Sequence, residues 1–234
     1  MAKQTPIRHP SLSSKAARNA LDHLTTPIYD NVFSTIDSLG SLYDGLAAVR
    51  ANEDPTKTRE NNALAYQQKF EAAYLRAQKL ANERAEAVAA YEAKIVADAY
   101  KKAGVDKLPT QAEAIWLALR GMDQKSRDAA VIEAINSGDR VVIAAITHAP
   151  SPMLTGKFTV PVKTSTELFI DKMAPEMRQE LGHIERAMAF LEHASSAFVK
   201  SAQELRDLPA EQRGAEGHAA ATQAESAFQA AMQG

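Results

Sequence analysis

Residues 177–205 read MRQELGHIERAMAFLEHASSAFVKSAQEL, with apolar side chains at Met177, Leu181, Ile184, Met188, Leu191, Ala194, Phe198, Ala202 and Leu205. The steps alternate mainly between four and three, so these side chains share one face of a helix. A half-buried strand would alternate at every second residue, and this stretch does not. Such a seam resembles a coiled-coil stripe and needs an apolar partner surface. Asp207-Leu208-Pro209 ends it, because proline cannot continue a helix. Upstream, Thr164 with Glu167 forms a capping box that opens a helix, and Ala174-Pro175 kinks or restarts that helix.

The first half of the chain carries two more long helical patterns. Thr26-Pro27 is a helix start, and Ile28, Val32, Ile36, Leu39, Leu42 or Tyr43, Leu46 and Val49 recur at steps of three and four. Gly40 and Gly45 weaken this helix and predict a bend; residues 52–55 end it. A second helix begins near Asp54-Pro55 or Thr56 and runs to Lys102, with Phe70, Tyr74, Ala77, Ala81, Val88, Tyr91, Ile95 and Ala99 on its inner stripe. Lys101 and Lys102 complement the helix dipole at its end, and Gly104 is the stop. Roughly 45 residues at about 1.5 Å each make a rod of about 65–70 Å, which must project or pair with something as long.

Residues 105–150 read as three short helices. Thr110 with Glu113 is a capping box and Gly121 closes the first helix. Asp123 caps the second, which stops at Ser137-Gly138, and Asp139 caps a third that ends at His148 before Pro150. Trp116, Leu117, Leu119, Val131, Ile132, Ile135, Val142, Ile143 and Ile146 form their expected core. Val141–Ile143 also reads as a strand, since β-branched runs are ambiguous. Pro150, Pro152, Gly156 and Pro161 mark an extended linker, with a candidate strand at 157–160. Residues 214–234 are Ala-rich and helical by propensity, with Phe228 and Met232 as their larger apolar residues.

The expected fold is therefore all-α: long amphipathic helices forming an elongated hairpin or bundle with a small three-helix insertion. Its segments are a flexible basic arm over 1–12, long helices over 13–104, the three-helix subdomain over 105–150, and a linker over 151–163. A kinked helix over 164–208 and an Ala-rich helix over 209–234 complete it.

Composition narrows the function. Among 234 residues there is no cysteine, which excludes disulfides, thiolate metal sites and cysteine nucleophiles. Net charge is −2, so there is no global attraction to nucleic acid or an anionic membrane. Charge is unevenly spread, however. Residues 1–20 hold Lys3, Arg8, Lys15 and Arg18 and no acid, whereas residues 167–234 hold eleven acids and six bases. The basic arm is either a solvated tail or a segment that docks on an acidic neighbour or a phosphate backbone. No signal-peptide pattern and no apolar run of transmembrane length is present.

Motifs for chemistry are sparse. Glu180-Leu-Gly-His183 has the E-x-x-H spacing of di-iron bundles, but such a site needs a second copy and two further carboxylates, and the pair flanks the seam. Gly156-Lys157 lacks the glycine and hydroxyl of a phosphate loop, with Ser151 and Phe158 in their places. The six histidines are scattered, at 9, 23, 148, 183, 193 and 218. Trp116 reads as core, and Tyr66, Tyr74, Tyr91 and Tyr100 share their helix with too many acids for a base-stacking platform.

The stretch from Arg127 through Ser137-Gly138-Asp139 and Val141–Ile146 to Ala149-Pro150 is similar to a helix–GD–helix–AP pattern in uncharacterised helical proteins of tailed bacteriophages. That resemblance implies a virion-associated or assembly role and carries over no active residue.

The functional expectation is a non-catalytic structural or assembly protein, with no enzyme activity, cofactor or metal. As a phage product it would be an internal, connector-associated or scaffold-like component, found in host cytoplasm and virion. Met177, Leu181, Ile184, Met188, Leu191, Phe198 and Leu205 are its candidate helical interface. Its partners would be copies of itself and other structural proteins, with no membrane, and nucleic acid only through Lys3, Arg8, Lys15 and Arg18. The alternative is a cytoplasmic coiled-coil adaptor or regulator that binds a protein partner.

Overall fold

The computed structural model describes residues 8–21, 24, 26–206 and 218–234. Every regular element among them is helical. A 3-10 turn at Pro10–Leu12 precedes α1 (Lys15–Leu21), α2 (Pro27–Ala51), α3 (Arg59–Ala103), α4 (Ala112–Gly121), α5 (Gln124–Ser137), α6 (Arg140–Thr147), α7 (Pro152–Thr155), α8 (Val162–Met173), α9 (Pro175–Arg206) and α10 (His218–Gln233). No strand occurs among the described residues, so neither Val141–Ile143 nor 157–160 is one. No helix there is long and apolar enough to cross a membrane. The chain divides into two compact units, Met1–Ala89 with Ile184–Gly234, and Ala90–His183. The boundaries fall inside α3 and inside α9.

In the first unit, α2 is the central helix. It buries Tyr29, Val32, Phe33, Ile36, Leu39, Leu42, Tyr43 and Leu46, so it is covered on more than the single seam that its spacing predicts. Polar ties fix the register of its neighbours. Arg84 of α3 donates to Thr35 Oγ1 at 3.1 Å, and the Arg50 guanidinium lies 4.5 Å from the Tyr66 ring, so α3 runs antiparallel to α2. Arg50 also reaches the end of α9, and Phe198 and Leu39 line one crevice, so α9 runs parallel to α2. α10 lies on the remaining side of α2, with Gly45 against Phe228 and Ala231 and with Asn52 and Ala221 lining one cleft. Gly40 and Gly45 therefore serve close approach. A Cβ on Gly45 would meet the Phe228 Cα at 3.0 Å, and one on Gly40 would overlap Arg8 and the Leu12 carbonyl.

The second unit is the short-helix part. Ala99, Ala103, Val105, Leu119, Val131, Ile143, Ile146 and Phe169 form its core, with Trp116 packed on Ala145 beside it. Local punctuation sets its geometry. Gly104 and Gly138 take φ of 71° and 76° at the ends of α3 and α5. Asp123 accepts from the Ser126 N–H at 2.9 Å, and Asp139 from the Val141 and Val142 N–H groups at 3.0 and 3.1 Å. These are the caps that the spacing predicts. Asp139→Ala is expected to cost about 1 kcal/mol, read as a lower urea midpoint with unchanged slope. An unchanged midpoint would show that α6 needs no cap.

Several expectations fail for identifiable reasons. α3 starts at Arg59, because the Asp54 carboxylate accepts from the Thr56 N–H and hydroxyl and Asp54 pairs its backbone with the Asn62 amide. Thr58 Oγ1 then accepts from the Asn61 N–H at 3.3 Å. The Thr110 capping box does not form, since Gln111 is the N-cap and Thr110 bonds its side chain. Thr164 lies inside α8, which starts directly after Pro161. Leu117 and Ile132 are 69% and 56% exposed and not in the core. The linker contains α7, capped by Ser151. Residues 8–12, placed in the flexible arm, instead pack on α2, with Leu12 fully buried. Residues 1–7, 207–213 and 214–217 lie outside the described set, including Lys3 and the Leu208-Pro209 stop.

Candidate interaction surfaces

The basic arm finds its acidic neighbour in the chain itself. Arg8 pairs with Asp44 at 3.0 Å and donates to the Leu12 carbonyl. Ser14 donates its N–H and hydroxyl to Asp37 at 2.9 and 2.7 Å. Arg18 holds Ser14 Oγ at 2.9 Å and lies over the Phe33 ring at 4.9 Å. Lys15 is exposed, and Lys3 lies outside the described residues. Asp37 and Asp44 stand on α2, so two of the four cations that mark the arm face that helix.

Helix C-termini explain three more cations. The last carbonyls of a helix have no intrahelical donor and carry partial negative charge. Arg50, 4% exposed, donates to the Leu205 and Arg206 carbonyls at the end of α9, at 3.2 and 2.8 Å. Arg127 donates to the Leu119 and Met122 carbonyls at the end of α4 at 2.8 and 2.7 Å, and to the Lys157 carbonyl at 2.6 Å. Lys172 of α8 donates to the Ile135 and Asn136 carbonyls of α5 at 3.1 and 2.6 Å. Sequence reading missed Arg50 and Arg127. A signal existed: Arg50 follows Leu46 by four and Arg127 precedes Val131 by four, so each cation stands in the apolar register of its own helix.

Beside Arg50 lies a polar cleft of about 380 Å³ whose lining includes Glu53, Asp54, Lys57, Tyr66, Lys69 and Glu225. Lys69 of α3 pairs with Glu225 of α10 at 2.6 Å. Burial pushes the Glu225 carboxyl up, but the hydrogen bonds from Lys69 and Gln229 outweigh it and hold the group below its ordinary 4.5. Lys69 and Lys57 favour the charge, and Glu53, Asp54 and Tyr66 are the other titratable groups around the cleft. A depressed folded value means a contribution present above the unfolded value and lost as pH falls through the folded one. Protection of the α10 amides from hydrogen exchange is expected to drop below about pH 4.5, before that of α2. Equal protection of α10 on both sides of that pH would show that the pair contributes nothing.

In the second unit, Glu180 and His183 stand 3.7 Å apart and are each one-fifth exposed, and the Tyr91 hydroxyl donates to Glu180 at 2.8 Å. Among the described residues no three His, Asp or Glu side chains converge as metal ligands. Trp116 donates its indole N–H to the Ala145 carbonyl at 2.7 Å and is buried. Exposed apolar side chains concentrate on this unit. Of eleven large apolar side chains standing exposed among the described residues, nine belong to Ala90–His183, including Leu108, Leu117, Ile132, Met153, Val160 and Leu168. Met153 is the extreme at 81% exposure. It sits on α7, which packs against α4, the helix that carries Leu117. Val160 also lines a cleft of about 430 Å³ with Ile146, Pro152 and Phe158.

The residues of the α9 seam are placed as follows. Ile184, Leu191, Phe198 and Leu205 are buried in the first unit. Met188 is half-buried there, and Met177 and Leu181 are half-buried in the second unit, Met177 against its core. The chain itself covers the four buried ones. Comparison of the chain with protein-family models, with curated proteins and with solved structures finds no match in any of the three.

Proposed function

We propose that this chain is a non-catalytic structural or assembly protein that associates with copies of itself through the apolar surface of residues 90–183. One observation carries the reading: among the described residues, nine of the eleven exposed large apolar side chains fall in that unit. Singly scattered apolar side chains are ordinary on a protein surface, but their concentration in one unit marks an interaction face. The distribution of buried charge supports it. Among the described residues, the buried Arg50 and Arg127 each donate to carbonyls at a helix end.

The finer reading, a component of a tailed-phage particle, rests on the resemblance of Arg127 to Pro150 alone; its test is whether the protein co-sediments with assembled particles. The association itself is tested by Leu117→Ser combined with Met153→Ser. Both side chains are mostly solvated, so the melting temperature is expected to hold while the associated mass falls below that of the parent. An unchanged mass would remove this face from the interface.

A further inference from the structure

α10 packs on α2. Toward α2 and the clefts beside it this helix presents Ala220, Ala221, Ala224 and Ala231, with Thr222, Gln223 and Glu225 also on the cleft linings, and among the described side chains Phe228 is its large buried one. Open clefts of about 380 and 300 Å³ include residues of both α2 and α10 in their linings. An ion pair, Lys69–Glu225, ties α10 to α3. Such a helix gains little from its own propensity at this length and depends on docking to stay formed. The seat is nonetheless shaped for it. Gly45 lets the Phe228 backbone come within contact distance, so the groove accepts a small-residue helix with one aromatic anchor.

We propose that α10 is an exchangeable helix: its groove on α2 accepts the α10 of a second copy of the chain, in a reciprocal swap. A second copy is the occupant because it supplies every matching part, namely the alanine face, the Phe228 anchor opposite Gly45, and a carboxylate for Lys69. Eleven residues separate Arg206 from His218. Extended, they reach about 36–40 Å, enough to deliver α10 to a neighbouring molecule. The swap uses α2 and α10 and is independent of the apolar surface of residues 90–183.

The absence of native cysteine makes trapping clean. Ala48 of α2 and Ala227 of α10 line the same cleft. Folded Ala48→Cys chains are mixed with folded Ala227→Cys chains under a mild added oxidant. In parallel, Ala48→Cys is mixed with Ser226→Cys, whose position on α10 lies outside both clefts between α2 and α10. The expected result is a disulfide-linked heterodimer from the first pair at about ten times the yield of the second or more, and closure within one chain for the Ala48→Cys/Ala227→Cys double variant. Equal yields from the two mixtures, or monomers from both, would overturn the swap. A double variant that fails to close would overturn the docking register on which it rests. Adding Leu117→Ser and Met153→Ser is expected to leave the heterodimer yield unchanged, so this inference and the proposed association face fail separately.

Discussion

Leu191→Asp is expected to unfold the first unit. Leu191 is 2% exposed in the middle of the α9 seam, between the buried Ile184 and Phe198. The substitution removes a buried leucine, leaves a cavity and puts a carboxylate at a position closed to water. Each contribution is worth several kcal/mol, and the total is about 4–5 kcal/mol or more. A domain has only about 5–15 kcal/mol to lose. The urea midpoint and far-ultraviolet helicity should both collapse, whereas Arg186→Ala, on the exposed side of the same helix, should change the midpoint little. A Leu191→Asp chain that melts like the parent would mean that α9 does not bury this face.

Arg127→Met should have the next largest effect and act on the second unit. The guanidinium closes three carbonyls at once, those of Leu119, Met122 and Lys157, and lies 6.0 Å from the Phe158 ring centre. Methionine keeps much of the apolar stem but leaves those carbonyls without their donor. Hydrogen bonds to a charged group are worth about 1.5–3 kcal/mol each and do not add fully, so a loss of about 3–5 kcal/mol is expected. Hydrogen exchange should rise first over α4 and the 156–160 segment. A loss below about 1 kcal/mol would show that water replaces the guanidinium at these carbonyls.

Much of the second unit was legible because its punctuation is local. Gly104, Asp123, Gly138, Asp139 and Pro175 act on residues within four positions, and each does what its chemistry predicts. Competition among neighbours was harder to read. Ile115, Trp116, Leu117 and Leu119 crowd one short helix, and a single helix cannot bury them all on one side; Trp116 and Leu119 take the core while Leu117 is left outside. Thr110 and Thr164 each had the spacing of a capping box, yet Gln111 and Pro161 took the N-cap positions. Least legible were ties across long separations. Arg50 meets α9 some 155 residues later, and Gly45 meets α10, so nothing local marked Arg50 as buried, and two glycines that serve close approach read as a weak, bending helix. Nothing in the spacing announced the apolar surface of residues 90–183, because exposure is decided by which neighbouring helix covers a face.

The most direct test of the central claim, that this chain works by associating through surfaces its own fold leaves uncovered, is light scattering behind size exclusion over a range of concentrations. The expected mass is a defined multiple of 25.3 kDa that dissociates on dilution. A mass of 25.3 kDa at every concentration would contradict it.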